Sequence, residues 1–251
     1  MHRFYLPPDK TARPPFFLEG GEARHATRVL RLKEGDPVTV LNGAGGEFQC
    51  EILSASRDKV SLKIREQRII PPPSCGITLV QALPKGKLIE SIIQKATELG
   101  VSRIVPLLSE RVVAHFDAHK GERKSEKWQQ VAIEALKQCG APWLPMVEEP
   151  VSPEQFISRE DKFDLALVGA LTGGNRHPAV YFKDYRARHL GPPRTLCFWI
   201  GPEGDFTPSE IETIKNAGAL PITLGPLVLR TETAAIYCLS LAQYEVSRPA
   251  G

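Results

Sequence analysis

No stretch of this 251-residue chain approaches the roughly 18 to 20 apolar residues that a membrane-spanning helix needs, and its opening, MHRFYLPPDK, lacks the apolar core of a secretory signal. Membrane insertion is not expected, and the cytoplasm is the expected location. Cysteine is sparse: Cys50, Cys75, Cys139, Cys197 and Cys238 are odd in number, widely spaced and without a C-x-x-C pair. That argues against a zinc ribbon or a disulfide framework and leaves buried or incidental thiols, since free cysteine behaves as a small hydrophobe. Phosphate-cradling motifs are missing too, since neither G-x-x-x-x-G-K-[ST] nor a helix-opening G-x-G-x-x-G occurs. An ordinary nucleotide-binding enzyme is therefore disfavoured. Internal repeats and low-complexity tracts are absent. His115, Asp117 and His119 stand at H-x-D-x-H spacing, but no third strong ligand lies nearby, so the stretch reads as a solvated segment and no metal is expected.

Charge of one sign is in short supply, with a net charge of +3, yet its distribution is uneven. Residues 1–70 hold 12 Lys and Arg against 9 Asp and Glu, while residues 71–251 hold 20 against 20. The excess lies wholly in the first segment, which hints at a polyanion-binding face there.

What is present divides at PPPS (71–74), whose three prolines lack the amide donors that a sheet or helix interior needs. Before it, PVTVLN (37–42), EFQCEIL (47–53) and KVSLKI (59–64) are separated by turn residues and predict a small antiparallel β unit. The expected domains are therefore 1–72 and 73–251. After the prolines, the apolar runs ITLVQAL (77–83), IVPLL (104–108), DLALV (164–168), LCFWI (196–200) and PITLG (221–225) alternate with helical stretches. This alternation predicts an α/β domain with a mostly parallel sheet. In KLIESIIQKATELG, Leu88, Ile89, Ile92, Ile93, Ala96 and Leu99 form one apolar stripe that Gly100 is placed to end. A second helix, in SEKWQQVAIEALKQCG, stops at Gly140 in the same way.

Strand LCFWI runs into IGPEGDFTPSE, where Thr207 caps a helix, Pro208 opens it and Glu210 closes a capping box. The next unit repeats the arrangement: PITLG, then PLVLRTETAA leading into the last helix, with Thr231 or Thr233 as its cap. Ligands of open α/β sheets bind beyond the carboxyl ends of the strands, so the two loops should hold Glu203, Asp205, Arg230, Thr231, Glu232 and Thr233 near one crevice. Two carboxylates in GPEGD would repel phosphates by more than a helix dipole attracts them. The crevice suits a neutral or cationic ligand. Capping and solvation alone would also account for these residues taken singly.

IGPEGDFTPSEI followed by LGPLVLRTETAA resembles the paired C-terminal signature of the RsmE family, bacterial methyltransferases that modify N3 of a uridine in 16S ribosomal RNA of the small subunit. LPKGKLIESIIQKATELGV, SERVV, KWQQVAIEALKQCG and HATRVLRLKEGD are similar to its other blocks, in the same order. The resemblance implies a SPOUT-type α/β methyltransferase domain with a C-terminal trefoil knot behind an N-terminal PUA-like β-barrel. It also implies a homodimer and S-adenosylmethionine as cofactor, whose sulfonium matches the acidic turn. Carried over, the cofactor residues are Val168 and Gly169 from one loop, Gly201, Pro202, Glu203 and Gly204 from a second, and Leu224, Gly225, Leu229, Arg230, Thr231, Glu232, Thr233 and Ala234 from a third. Arg230 is the expected stabiliser of the uridine anion, with Glu203 or Glu232 orienting groups or taking a proton. RNA would be held by Arg24, Arg28, Arg31 and Lys33 in the first domain and by Lys85, Lys87 and Arg111 in the second. One departure stands out: Leu227 replaces the first arginine of the family block LG-x-R-[IV]-LR-[TA]-ETA, while Arg230 keeps the second. Two other readings remain open, a methyltransferase of this class acting on another RNA site and an RNA-binding protein with weakened catalysis.

Overall fold

Alternating apolar residues in the first 70 positions fold into one five-stranded sheet. The computed structural model describes residues 2–113, 121–171, 175–189 and 191–248, so the His115, Asp117 and His119 string lies outside the described residues. The chain divides into two units, Met1–Pro72 with Ile133–Leu144, and Pro73–Ala132 with Pro145–Gly251.

The first unit contains β1 (His2–Tyr5), β2 (Phe16–Glu19), β3 (Pro37–Leu41), β4 (Gly46–Ala55) and β5 (Lys59–Ile69), in the order β1-β3-β4-β5-β2. Strands β3, β4 and β5 form the expected antiparallel meander, but β1 pairs with β3 in parallel. The purely antiparallel expectation is corrected at that edge. Phe48, Cys50 and Ile52 alternate inward along β4 and meet Phe4, Phe16, Leu18, Val38 and Leu62 in a core of nearly inaccessible side chains. Phe16 and Phe48 pack edge to face at 5.0 Å. Register shifts at Gln49/Cys50 and Ile52/Ser54 bend β4 so that the sheet can curl around this core. Helix α1 (Gly20–Arg24) continues through a wider turn, His25–Val29, in which the amide of Leu30 donates to the carbonyl of His25 at 3.0 Å. Ala23 and Ala26 bury one side of this segment, leaving Arg24, Arg28, Arg31 and Lys33 exposed.

The second unit is built on β6 (Gly76–Ala82), β7 (Arg103–Leu107), β8 (Met146–Val147), β9 (Leu165–Gly169), β10 (Thr195–Ile200) and β11 (Leu220–Ile222). Its order is β11-β9-β10-β6-β7-β8, and every pairing is parallel. The helices are α2 (Leu88–Glu98), α3 (Glu110–Val113), α4 (Gly121–Cys139), whose last turns from Ile133 onward group with the first unit, α5 (Pro153–Ile157), α6 (Pro178–His189), α7 (Pro208–Asn216) and α8 (Thr231–Ser247). Strands β6 and β10 read as continuous apolar runs because they are central and covered on both faces. In α2 the stripe buries Ile89, Ile92, Ile93 and Ala96, whereas Leu88 stays 39% exposed. Gly100 ends this helix with φ +72°, a left-handed value that costs glycine little. The chain leaves β6 for β7 and β8 on one side and returns to β9, β10 and β11 on the other. Such a reversal opens a crevice at the carboxyl ends of the strands.

Candidate functional site

The loops that leave β9, β10 and β11 surround a cavity of about 220 Å³. The middle loop follows β10 and is the tightest. At Gly201 a Cβ would lie 3.1 Å from both the Asp205 carboxylate and the amide of Phe206, so only glycine fits without displacing the turn. Asp205 adopts φ +63°, a left-handed conformation that aspartate tolerates better than most residues. Its Oδ1 accepts from its neighbour Phe206 N at 2.8 Å, and its Oδ2 accepts from Leu171 N, in the β9 loop, at 3.0 Å. The carboxylate thus ties two walls of the cavity together. Glu203 performs a similar task, its Oε1 accepting from the amide of Lys85 in the β6–α2 loop at 3.0 Å.

Thr207 and Glu210 form the expected capping box at α7. Glu210 does more, for its Oε1 also accepts from the amide of Glu110 at the start of α3, 2.9 Å away. Next to it, Arg111 donates to the carbonyl of Asp205 at 3.2 Å and lies along Gly204. Arg111, expected on RNA grounds, therefore stands at the GPEG turn.

The third wall, after β11, corrects the capping expectation for α8. Arg230 occupies the N-cap with no side-chain cap bond. Thr231 begins the helix, and its hydroxyl donates to the carbonyl of Gly201 at 2.6 Å while accepting from Gln81 Nε2 at 2.9 Å. Neither threonine caps the helix, because the Thr231 oxygen is engaged with the β10 loop and β6.

Of the residues carried over, Gly169, Gly201, Pro202, Glu203, Leu224, Gly225, Leu229, Thr231 and Ala234 line the cavity. Val168 is buried beneath it, and Gly204 lies against Arg111. Glu232 and Thr233 instead line a neighbouring groove with Lys95, Ile236, Tyr237 and Leu241. Arg230 is exposed at the helix start, and its guanidinium has no protein partner among the described residues. Lys85 and Lys87 are exposed in the β6–α2 loop. Sequence reasoning missed Ala170, Leu171, Thr223, Pro226 and Val228 as lining residues and set Leu227 aside. Leu227 and Val228 are 75% and 74% exposed, and two adjacent large apolar side chains held in solvent beside a cavity suggest that something covers them. Their signal in the sequence is LVL between a proline and a helix start, a run too short for a core strand.

No Lys, Arg or His lines the cavity among the described residues, whereas Glu203 and Asp205 do. With backbone amides and carbonyls of three loops and apolar side chains, the arrangement can hold a flat, polar-edged ligand of neutral or positive charge far better than a polyphosphate.

A family model described as an RNA methyltransferase domain matches residues 71–243, and one described as an RNA methyltransferase PUA domain matches residues 18–65. The ribosomal RNA small subunit methyltransferase E of Bacillus subtilis (strain 168) is 34% identical over 236 residues, covering 92% of this chain and 91% of its own. That of Synechocystis sp. is 31% identical over 242 residues, covering 95% and 76%. Among solved structures, a protein of Legionella pneumophila in complex with the cofactor SAM is 35% identical, with a TM-score of 0.83 over 96% of both chains. A ribosomal RNA small subunit methyltransferase E of Neisseria gonorrhoeae, bound to S-adenosyl methionine, is 25% identical, with a TM-score of 0.84 over 97% of both. Matched by the methyltransferase model over more than half its length and by these relatives along nearly all of it, the chain belongs to the ribosomal RNA small subunit methyltransferase E family.

Proposed function

We propose that the protein methylates N3 of a uridine in 16S ribosomal RNA of the small ribosomal subunit, using S-adenosylmethionine held among the β9, β10 and β11 loops. The observation that carries this reading is a cavity walled by backbone amides, apolar side chains and two carboxylates, with no basic side chain lining it among the described residues. Gly201 lets the β10 loop fold tightly against Asp205 and Phe206, and the relatives solved with this cofactor support the identity of the ligand. When bound, S-adenosylmethionine supplies an electrophilic methyl group on a positively charged sulfur.

The residues of the chain do the rest. Uridine N3 must lose its proton before its lone pair can take the methyl group as the methyl–sulfur bond breaks, and the negative charge left by that proton spreads onto the base carbonyls until the transfer discharges it. Arg230, exposed and without a protein partner among the described residues, donates to such a carbonyl and stabilises that charge. Glu203 is anchored through Oε1 to Lys85 N and orients the reacting groups, and either Glu203 or Glu232 accepts the proton, directly or through water. Holding acceptor and donor in line accounts for much of the rate.

In this reading, residues 1–72 hold RNA through Arg24, Arg28, Arg31 and Lys33, and residues 73–251 carry the chemistry, with Lys85, Lys87 and Arg111 contributing phosphate contacts. The trefoil knot and the cytoplasmic location belong to the same reading. The bond that Thr231 donates to Gly201 and the one it accepts from Gln81 support the knot, since they bring the start of the last helix onto the β10 loop and β6. A homodimer is supported by the groove of about 600 Å³ along α8, where Ile236, Tyr237 and Leu241 offer apolar surface to a second copy.

The test is calorimetric titration with S-adenosylmethionine against ATP and NAD, followed by methyl incorporation into small subunits lacking the modification, with the methylated nucleotide mapped. Binding of the first ligand alone and a single N3-methyluridine are expected. A methyl group mapped to another nucleotide or atom would replace the substrate assignment, and preference for ATP or NAD would overturn the cavity assignment.

A further inference from the structure

Strand β6 lies between β10 and β7 at the centre of its sheet, and Ile77, Leu79, Val80 and Ala82 along it are inaccessible to solvent. Gln81 is equally inaccessible, at 0% exposure, among these apolar residues. Burying a primary amide is unfavourable unless its donors and acceptor are satisfied.

The amide orientation follows from its two neighbours. Gln81 Nε2 lies 2.9 Å from the carbonyl oxygen of Ala82, which can only accept, and 2.9 Å from Thr231 Oγ1. The single hydroxyl proton of Thr231 is committed to the Gly201 carbonyl at 2.6 Å. Both neighbours therefore require an N–H from Gln81, and the reversed amide would face two acceptors. The consequence is that Gln81 Oε1 is buried with no hydrogen-bond partner among the described residues. A methionine or leucine would fill similar space without that orphan. Keeping an amide there makes sense if its donation to Thr231 serves something other than stability.

We infer that Gln81 is a positioning residue for the cavity: its Nε2 holds the Thr231 oxygen so that the Thr231 hydroxyl stays on the Gly201 carbonyl, joining the β10 loop and the start of α8 into one wall. Gly201, Thr231 and Ala234 all line that wall, and Gln81 itself does not touch the cavity. Without its donation, Thr231 is free to turn toward other acceptors, and the two loops separate for part of the time. A ligand then binds only the fraction of molecules whose wall is closed, so its apparent affinity falls by that fraction. The inference rests on the cofactor reading of the cavity.

The experiment compares the full-length protein with Gln81→Met, Thr231→Val and Thr231→Ser. It measures urea unfolding, calorimetric affinity for S-adenosylmethionine, and kcat and KM for methyl transfer to small subunits. Gln81→Met, which removes both the orphan oxygen and the donor, is expected to unfold at the same or a higher urea concentration. Its cofactor affinity should nevertheless drop roughly tenfold, and the subunit KM should stay unchanged. Thr231→Val should show the same loss of affinity and Thr231→Ser, which keeps the hydroxyl, should restore it. Wild-type affinity and kcat in Gln81→Met would overturn the inference, as would a loss of affinity that merely tracks a loss of stability. Should Gln81→Met fail to fold, Gln81→Leu, which also fills the space without a donor, takes its place under the same criteria, with the Thr231 variants as the reference for loss of the Gly201 bond. Failure of the unaltered protein to bind the cofactor would instead sink the cavity reading, and the inference with it.

Discussion

Replacing Glu210 by alanine removes a carboxylate that is 2% exposed and serves two helices at once. Its Oε2 accepts from Thr207 N at 2.8 Å within the capping box, and its Oε1 accepts from Glu110 N at 2.9 Å at the start of α3. Hydrogen bonds to a charged group contribute about 1.5–3 kcal/mol each, and a buried donor left without a partner costs a comparable amount. Part of this is offset because the carboxylate no longer has to be desolvated and because the amides of exposed Glu110 and half-buried Thr207 can turn to water, so the net loss for Glu210→Ala should be about 2–4 kcal/mol. Glu210→Gln keeps one acceptor oxygen and turns an NH2 group toward the other amide, so it should lose roughly half as much. Thr207→Ala, which breaks only the reciprocal bond to Glu210 N, should lose about 1 kcal/mol. Equilibrium urea unfolding of the three variants measures these values, with the slope of free energy against urea checked for constancy. The loss should also reach the cavity, because Glu110 precedes the Arg111 that donates to the Asp205 carbonyl. If Glu210→Ala proved no worse than Thr207→Ala, the bond to α3 would contribute nothing and the reasoning would fail.

Asp205→Ala should destabilise the protein more than Asp205→Gly, by about 1 kcal/mol, because both lose the bonds to Leu171 N and Phe206 N but only glycine accepts φ +63° without strain. A reversed order of urea midpoints would refute the role given to that backbone. Arg230→Ala should lower kcat by roughly 100- to 1000-fold with no change in thermal midpoint, and unchanged turnover would remove Arg230 from the mechanism. Burial pushes the Cys50, Cys75 and Cys238 thiols up to about 12 and Cys197 higher still, so iodoacetamide at neutral pH should label only the exposed Cys139, as read by mass spectrometry. A second native-state adduct would contradict this. Burial alone would raise the carboxyl pKa of Asp164, but the amides of Arg194 and Thr195 outweigh it and hold the group below its ordinary value. Its contribution to stability is present above the unfolded pKa and is lost as pH falls through the folded one, so Asp164→Asn should flatten the acid limb of the stability profile below about pH 4. An unchanged acid limb would dismiss it.

The parts of the fold legible in the sequence are those with strong local causes. LCFWI reads as a buried strand, and Thr207, Pro208 and Glu210 start a helix whether or not anything packs on it. Gly100 and Gly140 stop their helices at φ +72° and +81° for equally local reasons. What stayed hidden depends on partners distant in sequence. Strands β1 and β2 are four residues each, lie close to prolines and exist because β3 and β5 offer them edges. The grouping of Ile133–Leu144 with the first unit follows from bonds such as Trp143 Nε1 to the carbonyls of Ile70 and Pro71, which no helical periodicity foretells. Thr231 reads locally as a helix cap, and only the arrival of Gly201 and Gln81 from elsewhere gives its hydroxyl another task. The cavity loop after β11 was half legible for a similar reason. PITLG reads as strand to its end, yet pairing stops at Ile222 and Thr223 to Gly225 turn into the cavity wall.

The acidic turn GPEGD acquires a different meaning once its bonds are known. From the sequence, Glu203 and Asp205 suggest direct attraction of a cation. In the folded protein each first solves a backbone problem: Asp205 supplies acceptors to Leu171 N and Phe206 N, and Glu203 to Lys85 N. Amides in loops beside a cavity have no strand or helix to receive them, and a carboxylate satisfies them more strongly than a neutral side chain does. Asp205 also gives its own carbonyl to Arg111, so one residue draws together the β9 loop, the β10 loop and α3. The same charges that hold the loops remain in the wall, where they favour a positive sulfur over a phosphate. Loop architecture and ligand charge preference thus come from the same atoms, and the geometry of the cavity is set by the residues that select what enters it.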